Sequence, residues 1–250
     1  MSDDSDRPPD FAGRFSRRSV LQSAGVTGLG IFLAGCSQNT QTATETATEG
    51  STATEPTADN NDTSATMSGP LNLVTDVEQE FEDGSIPDTF NAVSVIPPGS
   101  RVKYEYRQDI PGVILDRMLH SEVRYPGGYG FIPQTNAGDG DPLDVLILLE
   151  EQLIPGTVLD VRPVAVLQMT DDGETDDKIV AVPVDEPRLD HITEQDDIPQ
   201  HQQDIIAEFF RTYKNLEDDP NVVVDGFGSS SDALDIVETG ASQFEADTES

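Results

Sequence analysis

The chain has 250 residues, of which 48 are acidic and 14 are Lys or Arg, giving a formal net charge of -34. This charge excludes a general nucleic-acid-binding protein, because contact with phosphate backbones requires a basic surface. It also opposes compact folding by self-repulsion, a penalty that largely disappears around 1 M salt, where the Debye length is about 3 Å. Length and charge therefore predict one sizeable domain with additional segments, in a protein adapted to molar salt.

Residues 1–36 have the features of an export signal. Residues 16–21 (SRRSVL) resemble a twin-arginine signal, and the apolar stretch after them is too short and glycine-rich for a stable membrane span. Residues 33–36 (LAGC) resemble a lipobox. Cys36 is the only cysteine, so an intramolecular disulfide is excluded, and we interpret it as a lipidated residue rather than a structural thiol. These features predict twin-arginine export and a lipid anchor on the outer face of the cell membrane, which would be the chain's one contact with the membrane.

Residues 37–70 are rich in Thr, Ser, Glu and Ala and contain almost no large apolar side chain. Such a segment cannot bury enough surface to fold, and we interpret it as a disordered acidic tether. The folded domain is predicted to occupy residues 71–250.

Within this domain, short apolar stretches separated by Pro, Gly and Asp predict β-strands. In chain order these are 92–96, 101–106, 113–116, 129–132, 143–149, 157–169, 178–184 and 222–225. One helix is predicted over 199–217, where an apolar stripe comprises Ile205, Ile206, Phe209, Phe210, Tyr213 and Leu216. A shorter helix is predicted to start after Ser231. Strands followed by late helices favour a mainly β fold, either a barrel or a sandwich, with helices packed outside it.

Three carboxylates, those of Asp139, Asp141 and Asp144, lie within six residues and lead into an apolar strand. Side chains two residues apart on an extended segment point to the same side, so the first two can face one cation. Oxygen ligands at this density suit Mg²⁺, or Mn²⁺ as an alternative, better than zinc. A chance acidic loop is the competing interpretation. An EF-hand is excluded, because Asp144 stands where that loop requires glycine.

Cations and aromatic hydroxyls are scarce, which draws attention to the few that are present. The whole chain has three lysines, Lys103, Lys178 and Lys214. Lys103 alternates with apolar residues and lies two residues from Glu105, a pattern that otherwise indicates a solvated strand face. Tyr125 and Tyr129 flank a tight turn, where they could equally be ordinary core aromatics.

These residues lie in strings that resemble the family I soluble inorganic pyrophosphatases, from about residue 91 to 227. The string 139–145 (DGDPLDV) matches the family signature, and ordered matches surround it. They are Lys103-Tyr104-Glu105, Asp116-Arg117, residues 125–130 (YPGGYG), 162–167 (RPVAVL), 169–171 (MTD), 176–183 (DDKIVAVP), Phe209-Phe210 and Tyr213-Lys214.

The resemblance implies a five-stranded OB-like barrel with flanking helices that hydrolyses pyrophosphate to two phosphates with Mg²⁺. It implies magnesium pyrophosphate as substrate and Asp141 as the residue that orients and deprotonates the attacking water. The implied metal ligands are Asp139, Asp144, Asp171 and Asp176, with Glu105 nearby. The implied phosphate-binding residues are Lys103, Arg117, Tyr129, Lys178, Tyr213 and Lys214, with Tyr125 in support.

Two further expectations follow from the resemblance. Bacterial and archaeal members are typically hexamers, which implies a homo-oligomer. The family usually has glutamate where this chain has Ser94, so Ser94→Glu is expected to lower the Mg²⁺ requirement. The alternative functions are a non-catalytic surface protein that binds divalent cations or phosphate compounds, and an enzyme acting on a larger extracellular phosphoanhydride.

Overall fold

The computed structural model describes residues 71–81, 87–218 and 220–248. The predicted signal, the lipidation site at Cys36 and the tether lie outside the described residues. Within them, no helix is both long and apolar enough to cross a membrane.

The described chain contains nine strands and two α-helices, besides short 3-10 turns at Pro187–Leu189 and Gln195–Asp197. The strands are β1 Phe90–Ile96, β2 Val102–Arg107, β3 Gly112–Met118, β4 Gly128–Phe131, β5 Asp144–Ile147, β6 Thr157–Asp171, β7 Glu174–Thr175, β8 Lys178–Pro183 and β9 Val222–Gly228. The helices are α1 Gln200–Thr212 and α2 Ser230–Thr248.

Five of these strands pair in a ring. β1 pairs with β4 and with β6, β4 pairs with β5, β5 pairs with β8, and β8 pairs with β6. All these pairs are antiparallel except β5 with β8, which is parallel. β7 and β9 also pair with β6, and β2 pairs with β3 in a separate hairpin. The predicted mainly β, OB-like architecture is confirmed.

Alternation along β5 shows how the strands supply two apolar clusters. Leu146 belongs to the cluster that includes Phe209 and Phe210 of α1, while Val145 and Ile147 belong to the cluster on the α2 side. Successive side chains of a strand point to opposite faces, so a fully apolar strand can serve both clusters. β5 is therefore buried on both faces, and Asp144 at its start is held by a rigid element.

The helices depart from expectation in two ways. α2 is the longer helix, with 19 residues against 13 in α1. In the predicted stripe of α1, Leu216 is 66% exposed because the helix ends at Thr212, and Ile205 is 46% exposed on the outer side. There Ile205 lines a surface cavity of about 630 Å³ together with Val123 and Phe209.

Candidate active site

A buried lysine joins two of the predicted metal ligands. Lys178 begins β8, and its side chain is 4% exposed. Its Nζ lies 2.6 Å from Asp144 Oδ2 and 2.5 Å from Asp176 Oδ1. Burial of the Lys178 ammonium opposes its charge, yet the two carboxylates hold its pKa above the ordinary value. Burial raises the pKa of Asp176, and Lys178 offsets part of that effect. β5 and β8, adjacent in the ring, thus bring two carboxylates to one point.

A tight turn places Asp171 beside this group. Asp172 and Gly173 both have positive φ angles, of 55° and 85°, as two-residue hairpin turns often require. The turn pairs Asp171 at the end of β6 with Glu174 of β7. The Asp171 carboxylate accepts a hydrogen bond from Lys214, the second residue after α1. The negative charge of Asp171 also acts on Asp176.

The β2–β3 hairpin supplies a second group of charges. Lys103 Nζ lies 2.7 Å from Glu105 Oε1 and 3.1 Å from Asp116 Oδ2. Arg117 donates to Asp116 at 2.6 Å and, through Nε and a terminal nitrogen, to Glu217 at 2.9 and 3.1 Å. Burial of Asp116 opposes its ionisation, but the two cations hold its pKa below the ordinary value. The fork-to-fork bond from Arg117 to Glu217 ties β3 to the segment after α1.

Three tyrosines lie close enough to these charged groups for the charges to act on them. Tyr125 packs on Tyr129 with ring centroids 5.4 Å apart, and Phe209 of α1 contacts both Tyr125, at 4.7 Å, and Tyr213, at 5.4 Å. Burial is the main reason that the pKa of Tyr125 lies above its ordinary value. Smaller effects on this pKa come from the charges of Arg117, Asp144, Asp116 and Glu105.

Burial is also the main reason that the pKa values of Tyr129 and Tyr213 lie above the ordinary value. The negative charge of Asp144 raises the pKa of Tyr129 further, and that of Asp171 raises the pKa of Tyr213. Both phenols therefore stay protonated and can donate hydrogen bonds. The tyrosines show that both charged groups converge on one region.

The two remaining predicted residues lie on an exposed loop ahead of β5. Asp139 Oδ1 accepts a hydrogen bond from the main-chain N–H of Asp141 at 3.0 Å. Gly138 and Gly140, on either side of Asp139, have φ angles of 98° and 93°, in the region that glycine adopts most readily. The loop geometry thus depends on glycines and local hydrogen bonds.

The inorganic pyrophosphatase family model matches residues 92–245. The chain is 52% identical to the inorganic pyrophosphatase of Haloferax volcanii over 168 residues, which cover 67% of this chain and 95% of the relative. It is also 52% identical to the inorganic pyrophosphatase of Halobacterium salinarum over 161 residues, covering 64% and 91%. The chain belongs to the inorganic pyrophosphatase family. The crystal structure of the Thermus thermophilus inorganic pyrophosphatase is similar with a TM-score of 0.65 and 39% identity, covering 70% of this chain and 99% of that one.

The donor chemistry of this family member fits a hard divalent cation. Every predicted ligand is a carboxylate, and the oxygens of Asp144 and Asp176 both lie within 2.6 Å of a single positive charge. Over the described ranges, no group of three or more His, Cys, Asp or Glu side chains is already gathered around one point. Asp144 and Asp176 share Lys178 as a partner, and the barrel strands β5 and β8 hold them there.

Sequence reasoning assigned no role to three residues that organise this candidate site. Asp116 holds Lys103 and Arg117 together, although it stood beside Arg117 in a matched string. Glu217 is the partner of Arg117 across 100 residues, a distance at which sequence gives no signal. Asn136 bonds the loop of Asp139, and its position ahead of two glycines was the available signal.

Ser94 lies in the interior of this family member. It is 1% exposed in β1, and its carbonyl accepts a hydrogen bond from Gly156 at 2.8 Å. A glutamate here would carry its charge into the interior, which is costly unless a cation reaches it. We therefore expect Ser94→Glu to destabilise the domain, whatever its effect on the Mg²⁺ requirement.

Proposed function

We propose that this protein hydrolyses inorganic pyrophosphate to two phosphates at the site formed by β2, β3, β5, β6, β8 and the end of α1. The observation that carries the proposal is the convergence of carboxylates and scarce cations on the three tyrosines. All three lysines of the chain take part, each within hydrogen-bonding distance of a site carboxylate. The relatives named inorganic pyrophosphatase support the substrate.

The phosphate oxygens would be bound by the cations and hydroxyls on the site walls. Lys103, Arg117, Lys178 and Lys214 supply positive charge, and Tyr129 and Tyr213 supply neutral donors, with Tyr125 packed behind Tyr129. Preorganised donors of this kind stabilise the charge that spreads over the phosphoryl oxygens during transfer.

Asp141 would accept the proton of the attacking water. Asp141 is exposed on the loop next to Gly140, three residues before Asp144, and this exposure supports contact of the residue with water. A carboxylate that orients and deprotonates water contributes typically 10²- to 10⁴-fold to the rate.

Mg²⁺, held by Asp139, Asp144, Asp171 and Asp176 with Glu105 nearby, would supply charge neutralisation and a lowered water pKa. Mn²⁺ shares the preference for oxygen ligands. Bound cations also explain how a chain of net charge -34 admits a polyanionic substrate.

The test is phosphate release from magnesium pyrophosphate by the purified protein in molar salt, with a chelator control. Rapid release that the chelator abolishes supports the proposal. No release from a folded protein overturns it and favours the non-catalytic protein that binds divalent cations or phosphate. Faster release from a larger phosphoanhydride than from pyrophosphate would assign a different substrate on the same site.

We also propose that the protein is exported by the twin-arginine route and anchored by lipid at Cys36 on the outer face of the membrane. The support is the signal-like residues 16–21 and 33–36 and the folded domain that follows a polar tether. Mass spectrometry of the mature N-terminus tests the lipid. Release of a Cys36→Ser variant into the medium is expected, whereas equal retention at the membrane would contradict the anchor.

We further propose that the protein is adapted to molar salt and that it assembles as a hexamer. The net charge and the 52% identity to haloarchaeal relatives support the salt adaptation. Resemblance alone supports the hexamer. Unfolding across a salt series should show stability rising towards molar salt, and full stability in dilute buffer would contradict this. Light scattering in the same buffers gives the assembly state.

A further inference from the structure

Asn136 connects the loop ahead of β5 with helix α2. Its Oδ1 accepts hydrogen bonds from the main-chain N–H groups of Gly138 at 2.7 Å and Gly140 at 3.1 Å. Its Nδ2 donates to Asp247 Oδ2 at 2.6 Å. The chemistry of these partners fixes the amide orientation, because the oxygen must face the N–H groups and the nitrogen must face the carboxylate. One side chain therefore bonds both the loop and the helix.

Helix α2 reaches the same loop at Gly240. The main-chain N–H of Asn136 donates to the Gly240 carbonyl at 2.9 Å. A Cβ on Gly240 would lie 2.6 Å from Leu143 Cδ1 and 3.2 Å from the Asn136 carbonyl oxygen. Glycine inside a helix costs roughly 1 kcal/mol relative to alanine. This glycine permits the helix to contact the residues on both sides of the loop.

Asp247 lies at a position where a carboxylate does not stabilise its own helix. It is in the last turn of α2, which contains no basic residue. The helix dipole places partial negative charge at that end, so an acidic side chain there is unfavourable. The hydrogen bond from Asn136 gives this carboxylate a role outside its own helix.

The hydrogen bonds continue from Asn136 to the carboxylates of the site. Its Oδ1 holds the N–H groups of the residues before and after Asp139. The main-chain N–H of Asp141 then donates to Asp139 Oδ1 at 3.0 Å, and its carbonyl accepts from Ala137 at 2.8 Å. The conformation between 136 and 141 therefore depends on one amide that α2 holds in place.

We infer that Asn136, supported by α2 through Asp247, is a positioning residue that orients Asp139 and Asp141 for metal binding and proton transfer. The inference rests on the proposed function, since it assigns those two carboxylates their roles in the same site. Asn136 acts through the loop backbone and touches neither the phosphate nor the metal.

The first experiment compares Asn136→Ala with the unaltered full-length protein in molar salt. The Mg²⁺ concentration for half-maximal phosphate release should rise about tenfold, as expected for the loss of one or two hydrogen bonds, with a smaller change in kcat at saturating Mg²⁺. Calorimetric titration with Mn²⁺ alone, without pyrophosphate, should show the same loss of affinity.

Asn72→Ala is the matched control. Asn72 Oδ1 also accepts a main-chain N–H two residues ahead, from Val74 at 3.0 Å, and its Nδ2 donates to Gln108 at 3.2 Å. This variant should lose a similar amount of thermal stability and keep the metal dependence of the unaltered protein.

A reciprocal exchange separates positioning from general damage to the fold. Asn136→Asp alone sets two carboxylates against each other and should weaken Mn²⁺ binding. Adding Asp247→Asn restores one donor between two acceptors and should return the affinity to within about twofold of the unaltered protein. The inference is overturned if Asn136→Ala binds Mn²⁺ as tightly as the unaltered protein, or if the exchange fails to recover binding. Absence of phosphate release from the unaltered protein would overturn the proposed function instead, and the Mn²⁺ titrations would still decide the role of Asn136.

Discussion

The carboxylates of this site are held in two different ways. Asp144 and Asp176 stand at or just before strands of the barrel, and a lysine whose side chain is 4% exposed lies between them. Asp139 and Asp141 stand on an exposed loop whose shape depends on two glycines and one asparagine. The first pair is positioned by the fold, and the second by hydrogen bonds that a single substitution can remove.

Because the two pairs are held differently, we expect substitutions near the first pair to affect mainly stability and substitutions near the second to affect mainly catalysis. Buried residues of the barrel cannot be altered without loss of packing or of charge balance, because their surroundings are close-packed. Under the proposed function, residues on the loop can be altered with little effect on the fold and a large effect on catalysis. Substitutions in the barrel should therefore lower the stability of the domain, and substitutions in the loop should lower its activity.

The largest effect is expected at a barrel glycine. A Cβ on Gly130 would lie 1.7 Å from the Val93 carbonyl oxygen and 3.0 Å from Ser94 Cα, and neither main-chain atom can move aside. Gly130→Ala should leave no folded protein, as judged by circular dichroism and soluble yield. The loop counterpart Gly140→Ala meets no atom within 4 Å and carries only the strain of φ +93°, roughly 1–2 kcal/mol. Equal stability of the two variants would contradict the comparison.

Asp141→Asn should have the next largest effect, on the rate alone. If Asp141 is the general base, as proposed, its loss should lower kcat by about 10²- to 10⁴-fold, while the free energy of unfolding changes by about 0.5 kcal/mol or less. Phosphate release at saturating Mg²⁺ and chemical denaturation measure the two quantities. Asp160→Asn, an exposed aspartate on β6, is the control and should keep full activity. Hydrolysis by Asp141→Asn at the original rate would exclude Asp141 as the base.

Lys178→Met tests the pair held by the barrel. Removing the cation leaves two carboxylates facing each other, and breaking a buried ion pair costs roughly 3–5 kcal/mol. We expect the low end, because the carboxylates are 36% and 34% exposed. Guanidinium unfolding without divalent ions measures the loss. Added Mg²⁺ should recover part of it in Lys178→Met and less in the control Lys178→Arg, which keeps the charge. A variant as stable as the original would show that the charge balance is unimportant.

The smallest effect is expected at an ion pair on the surface. Arg188 bonds Glu186 and Glu151, and its hydrogen bond lowers the pKa of Glu186 to about 2. A depressed folded-state pKa contributes stability above the unfolded value near 4.5, and this is lost as the pH falls towards 2. Arg188→Gln should lower the free energy of unfolding only slightly at pH 7, because exposed ion pairs contribute little and molar salt screens them further. Between pH 4.5 and 2, the free energy of unfolding of this variant should fall less steeply than that of the unaltered protein. The same slope in both proteins would show that this ion pair does not contribute to the pH dependence of stability.

Residues on strands could be predicted well from sequence, and the reason is periodicity. Each predicted strand is present with ends shifted by a few residues, because apolar alternation reports burial directly. The packing of the partly buried Tyr104 and Tyr106 on one face, and the pairing of Lys103 with Glu105 on the other, follow from the same pattern. The family strings indicated the barrel and the site together.

Tertiary contacts could not be predicted in this way. The length of α2 was missed because its small residues, such as Gly240, give a weak helical pattern while fitting the close approach to Leu143. The bond between Arg117 and Glu217 depends on where α1 ends, which periodicity locates poorly. Ile205 was assigned to a buried stripe, although it lies 46% exposed beside a cavity.

The length of β6 bears on how the protein folds. This strand of 15 residues pairs with β1 far before it and with β9 far after it. Pairings between distant parts of a chain close large loops and slow folding. The ring cannot close during synthesis until β8 has emerged, and Lys214 joins Asp171 only later still. Appearance of activity during refolding should therefore coincide with the last kinetic phase, so that turnover reports completion of the native structure.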